Sequence, residues 1–129
     1  MMIDKLFKKR IKEIHDKYKN ENVLIFDDKS NFFGQESLGL GRIRGNGVLL
    51  LTKEVLFFGM WRPKKNILIP VESITEINNP KSHMHRSILR PLLKITFKNE
   101  KGESDSVAWF VQHLDQWNEI LENLVSAED

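Results

Sequence analysis

Between Lys81 and Pro91 the chain gathers Lys81, Ser82, His83, His85, Arg86, Ser87 and Arg90. Polar segments of this kind on a rigid scaffold commonly carry function. Three chemistries are open to them. Hydroxyl, imidazole and guanidinium donors can recognise an anion, with Ser82, His83, Arg86 and Arg90 as the candidates. Histidine protonation would then make binding depend on pH near about 6–7. A metal is the second option, since His83 and His85 offer two ligands. A third ligand is missing nearby, and His15 and His113 are remote, so no metal site is expected. Nucleophilic catalysis is the third. Ser82 or Ser87 near a histidine lacks both a nucleophile elbow and an acid to orient the ring. The expectation is therefore a non-enzyme with no catalytic residues and no cofactor. A structural alternative stays open, in which Arg90 and the serines tie down the loop backbone.

Two other cationic sets could serve the same anion chemistry. Arg42-Ile43-Arg44 places both guanidiniums on one strand face, where they could chelate a phosphate. The alternative is two solvated arginines on an exposed edge. Trp61-Arg62-Pro63-Lys64-Lys65-Asn66 reads as a basic loop, because Pro63 cannot donate to a sheet ladder. The candidate ligand-binding set is thus Arg42, Arg44, Arg62, Lys64, Lys65, Ser82, His83, Arg86 and Arg90. Asp27 and Asp28 are adjacent, so they face opposite ways along a strand and make a poor metal pair. Gly39-Leu40-Gly41 and Gly45-Asn46-Gly47 open no helix, so they read as turn glycines rather than a phosphate cradle. Phe57, Phe58 and Trp61 beside cations suggest nucleic-acid stacking, but strand aromatics more often fill a core. The net charge of +2 gives no global field for a polyanion, so nucleic acid is not expected.

The elements that must position these residues are mostly strands. A chain of 129 residues suits one domain and can bury a core without staples. It has no cysteine, which excludes disulfides and thiolate chemistry. No apolar run approaches a membrane span, and no signal peptide is recognisable, so a cytoplasmic location is expected. Val23–Phe26 is long enough for a strand or a helical turn, and Asp27–Asn31 reads as a loop. Leu38–Arg44 then alternates as a strand. Gly45-Asn46-Gly47 supplies a tight hairpin turn of the primed type. Val48–Leu51, Val55–Met60 and Ile67–Ile69 follow as strands, with Ile74 and Ile77 anchoring another short element. Asn78–Arg90 reads as a long loop. Leu93, Ile95 and Phe97 alternate with polar residues, Asn99–Gly102 turns, and Ser106–Val111 makes a last strand. Leu114, Trp117, Leu121 and Leu124 repeat at helical spacing.

The N-terminus is different. Ile3, Phe7, Ile11, Ile14 and Tyr18, with Leu6 beside them, form one apolar stripe on a helix over residues 1–20. Seven Lys or Arg share that segment with Asp4, Glu13 and Asp16. A helix of this length is marginal alone, so the stripe must dock. It packs on the remaining domain (residues 21–129), on a second copy, or on an anionic membrane.

Seven short strands and a closing helix is the order of a pleckstrin-homology-type barrel. Gly47-Val48-Leu49-Leu50-Leu51-Thr52, Val55-Leu56-Phe57-Phe58 and Ile67-Leu68-Ile69-Pro70-Val71-Glu72-Ser73-Ile74 resemble the apolar run of GRAM and bacterial PH-like domains. Trp117 looks like the tryptophan of their last helix. The chain also resembles stand-alone prokaryotic PH-like proteins, from which no activity carries over. The resemblance spans roughly residues 36–125. It implies a mainly β fold: a seven-stranded antiparallel, partly open barrel capped by a C-terminal helix, to which the N-terminal amphipathic helix, outside the resemblance, is added. It implies binding without catalysis, to an anionic lipid headgroup, a phosphorylated group or a protein segment. Arg42-Ile43-Arg44 matches the end of a phosphoinositide-binding pattern, but the preceding lysine is absent. The expected function is recognition of an anionic ligand through basic loops, with a peripheral place on the inner membrane face if that ligand is lipid. The alternative is a protein-interaction or self-assembly module that uses the N-terminal helix.

Overall fold

Residues two apart on a strand share a face. Leu49 and Leu51, Leu56, Phe58 and Met60, and Ile67 and Ile69 accordingly enter one buried cluster. A computed structural model describes residues 23–38, 45–61, 64–84, 86–87 and 90–128, together with Lys12 and Asp16. The strands are β1 (Ile25–Gln35), β2 (Gly45–Leu51), β3 (Val55–Trp61), β4 (Lys64–Pro70), β5 (Ile74–Asn78), β6 (Ser82–His83), β7 (Arg86–Ser87), β8 (Leu93–Lys98) and β9 (Ser104–Phe110). Single 3-10 turns occupy Glu36–Leu38 and Val71–Ser73, and helix α1 runs over Leu114–Glu128. Seven strands form one open antiparallel sheet in the order β4-β3-β2-β1-β9-β8-β5, and β6-β7 is a separate two-stranded hairpin.

Every strand of the sheet sends side chains into the main core, and α1 closes it with Trp117 and Leu121, four residues apart and fully buried. At its centre Phe32, Phe58 and Trp109 pack with ring centroids 5.3–5.8 Å apart. Among the described residues the Trp109 indole N–H has no hydrogen-bond partner, a burden of about 1–3 kcal/mol that ring packing must offset. The helix is also tied by polar contacts. Asn79 and Asn118 exchange amide hydrogen bonds of 3.1 and 3.0 Å, and Asn79 Nδ2 donates to Leu92 O at 3.0 Å.

Several segments differ from their sequence reading. The first sheet strand is β1; Leu38 lies in the 3-10 turn Glu36–Leu38, and the rest of the expected Leu38–Arg44 strand lies outside the described residues. The polar run Asp27–Asn31 is strand because its side chains satisfy backbone groups. Asp27 accepts from Lys29 N (2.8 Å) and Gln112 N (2.6 Å), and Ser30 Oγ donates to Gly47 O (2.8 Å). A register shift between Asp27 and Ser30 absorbs the Asp27 loop chemistry as a bulge.

Gly45-Asn46-Gly47 is likewise not a hairpin turn but the start of β2, paired with Phe32, Asn31 and Ser30. Gly47 is needed for close approach: a Cβ there would collide with Gly59 O and stand 2.8 Å from the Phe58 ring. Lys64, Lys65 and Asn66 belong to β4 rather than to a loop, and charged residues are common on such an edge strand. Within the expected Asn78–Arg90 loop sits the β6-β7 hairpin. The strand over Leu93–Lys98, the turn after it and the C-terminal helix agree with expectation. The expected N-terminal helix lies outside the described residues, apart from Lys12 and Asp16, which are helical and exposed.

Removing Trp117 tests the role of α1. Trp117→Ala is expected to cost ~3–5 kcal/mol and to abolish cooperative unfolding or lower the melting temperature sharply. A melt within a degree or two of wild type would remove α1 from the core account.

Candidate functional site

The antiparallel order decides which connections share an end of the sheet. Ser30, Gly47, Met60 and Lys65 form one cross-strand row. Beyond that row β1 ends, β2 begins, β3 ends and β4 begins. The ends of β1 and β3 and the starts of β2 and β4 therefore lie at the same end of the sheet. The 99–103 turn joins them, because the start of β9 is pinned to the 36–38 turn. Asp105 accepts from Gln35 Nε2 (2.7 Å), Ser37 N (3.0 Å), Ser37 Oγ (2.7 Å) and Ser106 N (2.8 Å). Ser106 Oγ in turn donates to Glu36. Burial pushes the Asp105 carboxyl up, but these donors outweigh it and hold the group below its usual range.

Two clefts open beside this clamp. One of about 270 Å³ is lined by Glu36, Ser37, Lys94 and Asp105 among others, and one of about 460 Å³ by Ser37, Glu100, Lys101 and Glu103. The serine hydroxyls that donate to carboxylates here are structural pins. The sequence signal for them was weak, since Glu36, Ser37 and Asp105 are 68 or more residues apart in their pairings.

The β6-β7 hairpin is held to the same region by its histidine. His83 is buried, and its Nε2 donates to Gly34 O at 3.1 Å. That carbonyl belongs to a second bulge in β1, where Gly34 has φ 114° and the register shifts against β9. Met84, at φ 53°, packs its sulfur where a Gly34 side chain would stand. Burial pushes the His83 ring below its ordinary range. The Gly34 carbonyl and Glu36 oppose this, and Lys94 adds to it.

The candidate ligand residues are thus distributed as follows. Arg42, Arg44 and Arg62 lie outside the described residues. Lys64 pairs with Trp61 and half-buried Lys65 with Met60 on β4 at that end. Ser82 and Arg90 are exposed, and Arg86 pairs with His83 across the hairpin. His83 itself is committed to Gly34. Among the described residues no cluster of three or more His, Asp or Glu could hold a metal, and no helix is long and apolar enough to cross a membrane.

His83 makes stability depend on pH. Its folded pKa is lowered, so its neutral form stabilises the fold at high pH, and that contribution is lost as pH falls from about 6.5 through the folded value. Thermal melts should show stability falling over this window, and His83→Gln should flatten the dependence there. An unchanged slope in the variant would contradict the assignment.

No family model and no curated protein matches the chain. A solved structure does: the C-terminal domain of an unknown protein from Leishmania infantum, at 15% identity and a TM-score of 0.56, over 95% of this chain and 98% of that one. A likeness at that identity shows a shared fold.

Proposed function

We propose that this chain is a non-catalytic, PH-like binding module that recognises a phosphate-bearing anion at the end of its sheet. The observation that carries the reading is that β2 and β4 begin and β3 ends at one end of the sheet, with Lys64 and Lys65 there and Arg42, Arg44 and Arg62 next to these strand ends in sequence. Arg42, Arg44 and Arg62 in those sequence segments, with Lys64 and Lys65 at the start of β4, supply guanidinium and ammonium donors of the kind that bind phosphate. The hairpin adds Ser82 and Arg86, with Arg90 shortly after it in sequence, and its attachment at Gly34 brings it beside the end of β1. His83 contributes to this module by holding the hairpin, while its neutral ring adds no charge.

The PH-like reading rests on the same architecture. Seven sheet strands precede one helix, as in the order noted from the sequence. All seven strands share a single inner core with α1, as a partly open, helix-capped barrel would require. Carrying no disulfide and a modest net charge, such a module would act in the cytoplasm, at a membrane face when the phosphate belongs to lipid.

Vesicle co-sedimentation tests this directly. Wild type should pellet with vesicles that contain anionic phospholipid and not with neutral ones, and binding should weaken as salt rises. Arg42→Ala with Arg44→Ala should remove most of it. Inorganic phosphate competing at millimolar concentration would assign the site to phosphate itself rather than to the lipid surface. Absence of binding to anionic vesicles at low salt, together with no effect of phosphate on the melting temperature, would overturn the proposal.

A further inference from the structure

The sheet is apolar on its outer face as well as its inner one. Phe26, Leu50, Phe57 and Leu68 are successive cross-strand partners from β1 to β4. Leu50 and Phe57 form a second buried cluster with Val48, and Phe26 and Val55 pack against it. Val48 and Leu50 expose 0% of their surface, whereas Leu68, at the edge, exposes 54%. Neighbours in the plane of a sheet cannot seal a face by themselves; a second layer must lie over it. Helix α1 is not that layer, because Trp117 and Leu121 enter the inner cluster.

We infer that the apolar stripe of residues 3–18 is the outer layer, docked in cis across β1, β2 and β3 of its own chain. Three observations converge on this occupant. The segment ends shortly before β1 begins: Leu24 N already donates to Leu51 O, and Phe26 packs against the cluster. The tether is therefore a few residues, which strongly favours the same chain over a second copy. The length also fits. Sixteen helical residues extend about 24 Å, enough to cross strands spaced about 4.8 Å apart. Finally, at 100° per residue, Lys12 and Asp16 lie about 140° and 180° from the middle of the stripe. Both are helical and exposed, as this docking requires. The arrangement turns the lysines of the segment outward and keeps Phe7, Ile11 and Ile14 from any membrane.

Amine cross-linking of the full chain, using a mixture of isotopically light and heavy copies, tests the assignment. The expected result is links from Lys8, Lys9 or Lys12 to Lys53, beside Val55, or to Lys29, all within one isotopic species. Mixed-isotope links would mean docking on a second copy and would overturn it. Absence of links from the segment to these lysines would overturn it equally. As a second readout, Phe7→Ser with Ile11→Ser should raise hydrophobic-dye fluorescence several-fold, while Lys12→Ser with Asp16→Ser should not. Equal dye binding by the two variants would contradict the docking.

Discussion

The rest of the structure depends on one strand being paired along both of its edges. β1 hydrogen-bonds to β2 through Ile25–Phe32 and to β9 through Asn31–Gln35, and the two ladders overlap only at Asn31 and Phe32. Three strands hang from each side of it. Without β1 the chain would hold two separate three-stranded sheets, neither with a complete core. Its two bulges make this double role possible. Asp27 anchors the first against Gln112 and so fixes the approach to α1; Gly34 forms the second and offers its carbonyl to His83. Phe32, at the overlap, packs directly on Phe58 from one half and Trp109 from the other.

That arrangement explains why apolar segments were legible and β1 was not. Val55–Met60, Leu93–Phe97 and the Trp117–Leu121 helix announce themselves by period alone, because burial on one face is all they require. β1 carries Asp27, Asp28, Lys29, Ser30 and Asn31, which read locally as a loop. Their polar groups are satisfied by partners as far away as Gln112, information that no local window contains. Gly45-Asn46-Gly47 misled for the opposite reason. It has ideal turn chemistry, but the close packing of Gly59 and Phe58 uses Gly47 for space rather than for conformation.

The candidate site shows the same division. Clusters of cations and hydroxyls could be found by composition, and the sheet order then places Lys64 and Lys65 at the end where β2 begins. The Asp105 clamp escaped because it joins two segments across the sheet through single side chains. His83 illustrates how residue type alone misleads. Among exposed cations it reads as a donor for an anion, yet burial and the Gly34 carbonyl make it a neutral fastener. The polar side chains nearer the sheet are thus spent on holding connections in place.

The unifying role of β1 is tested most directly by native-state hydrogen exchange across a denaturant series. If β1 joins the two halves into one cooperative unit, the slowest amides of β2 and β3 and those of β8 and β9 should converge on one opening free energy, equal to that of global unfolding. If β8 and β9 instead exchange through an opening distinctly cheaper than that of β2 and β3, the halves are independent and the account of the fold is contradicted.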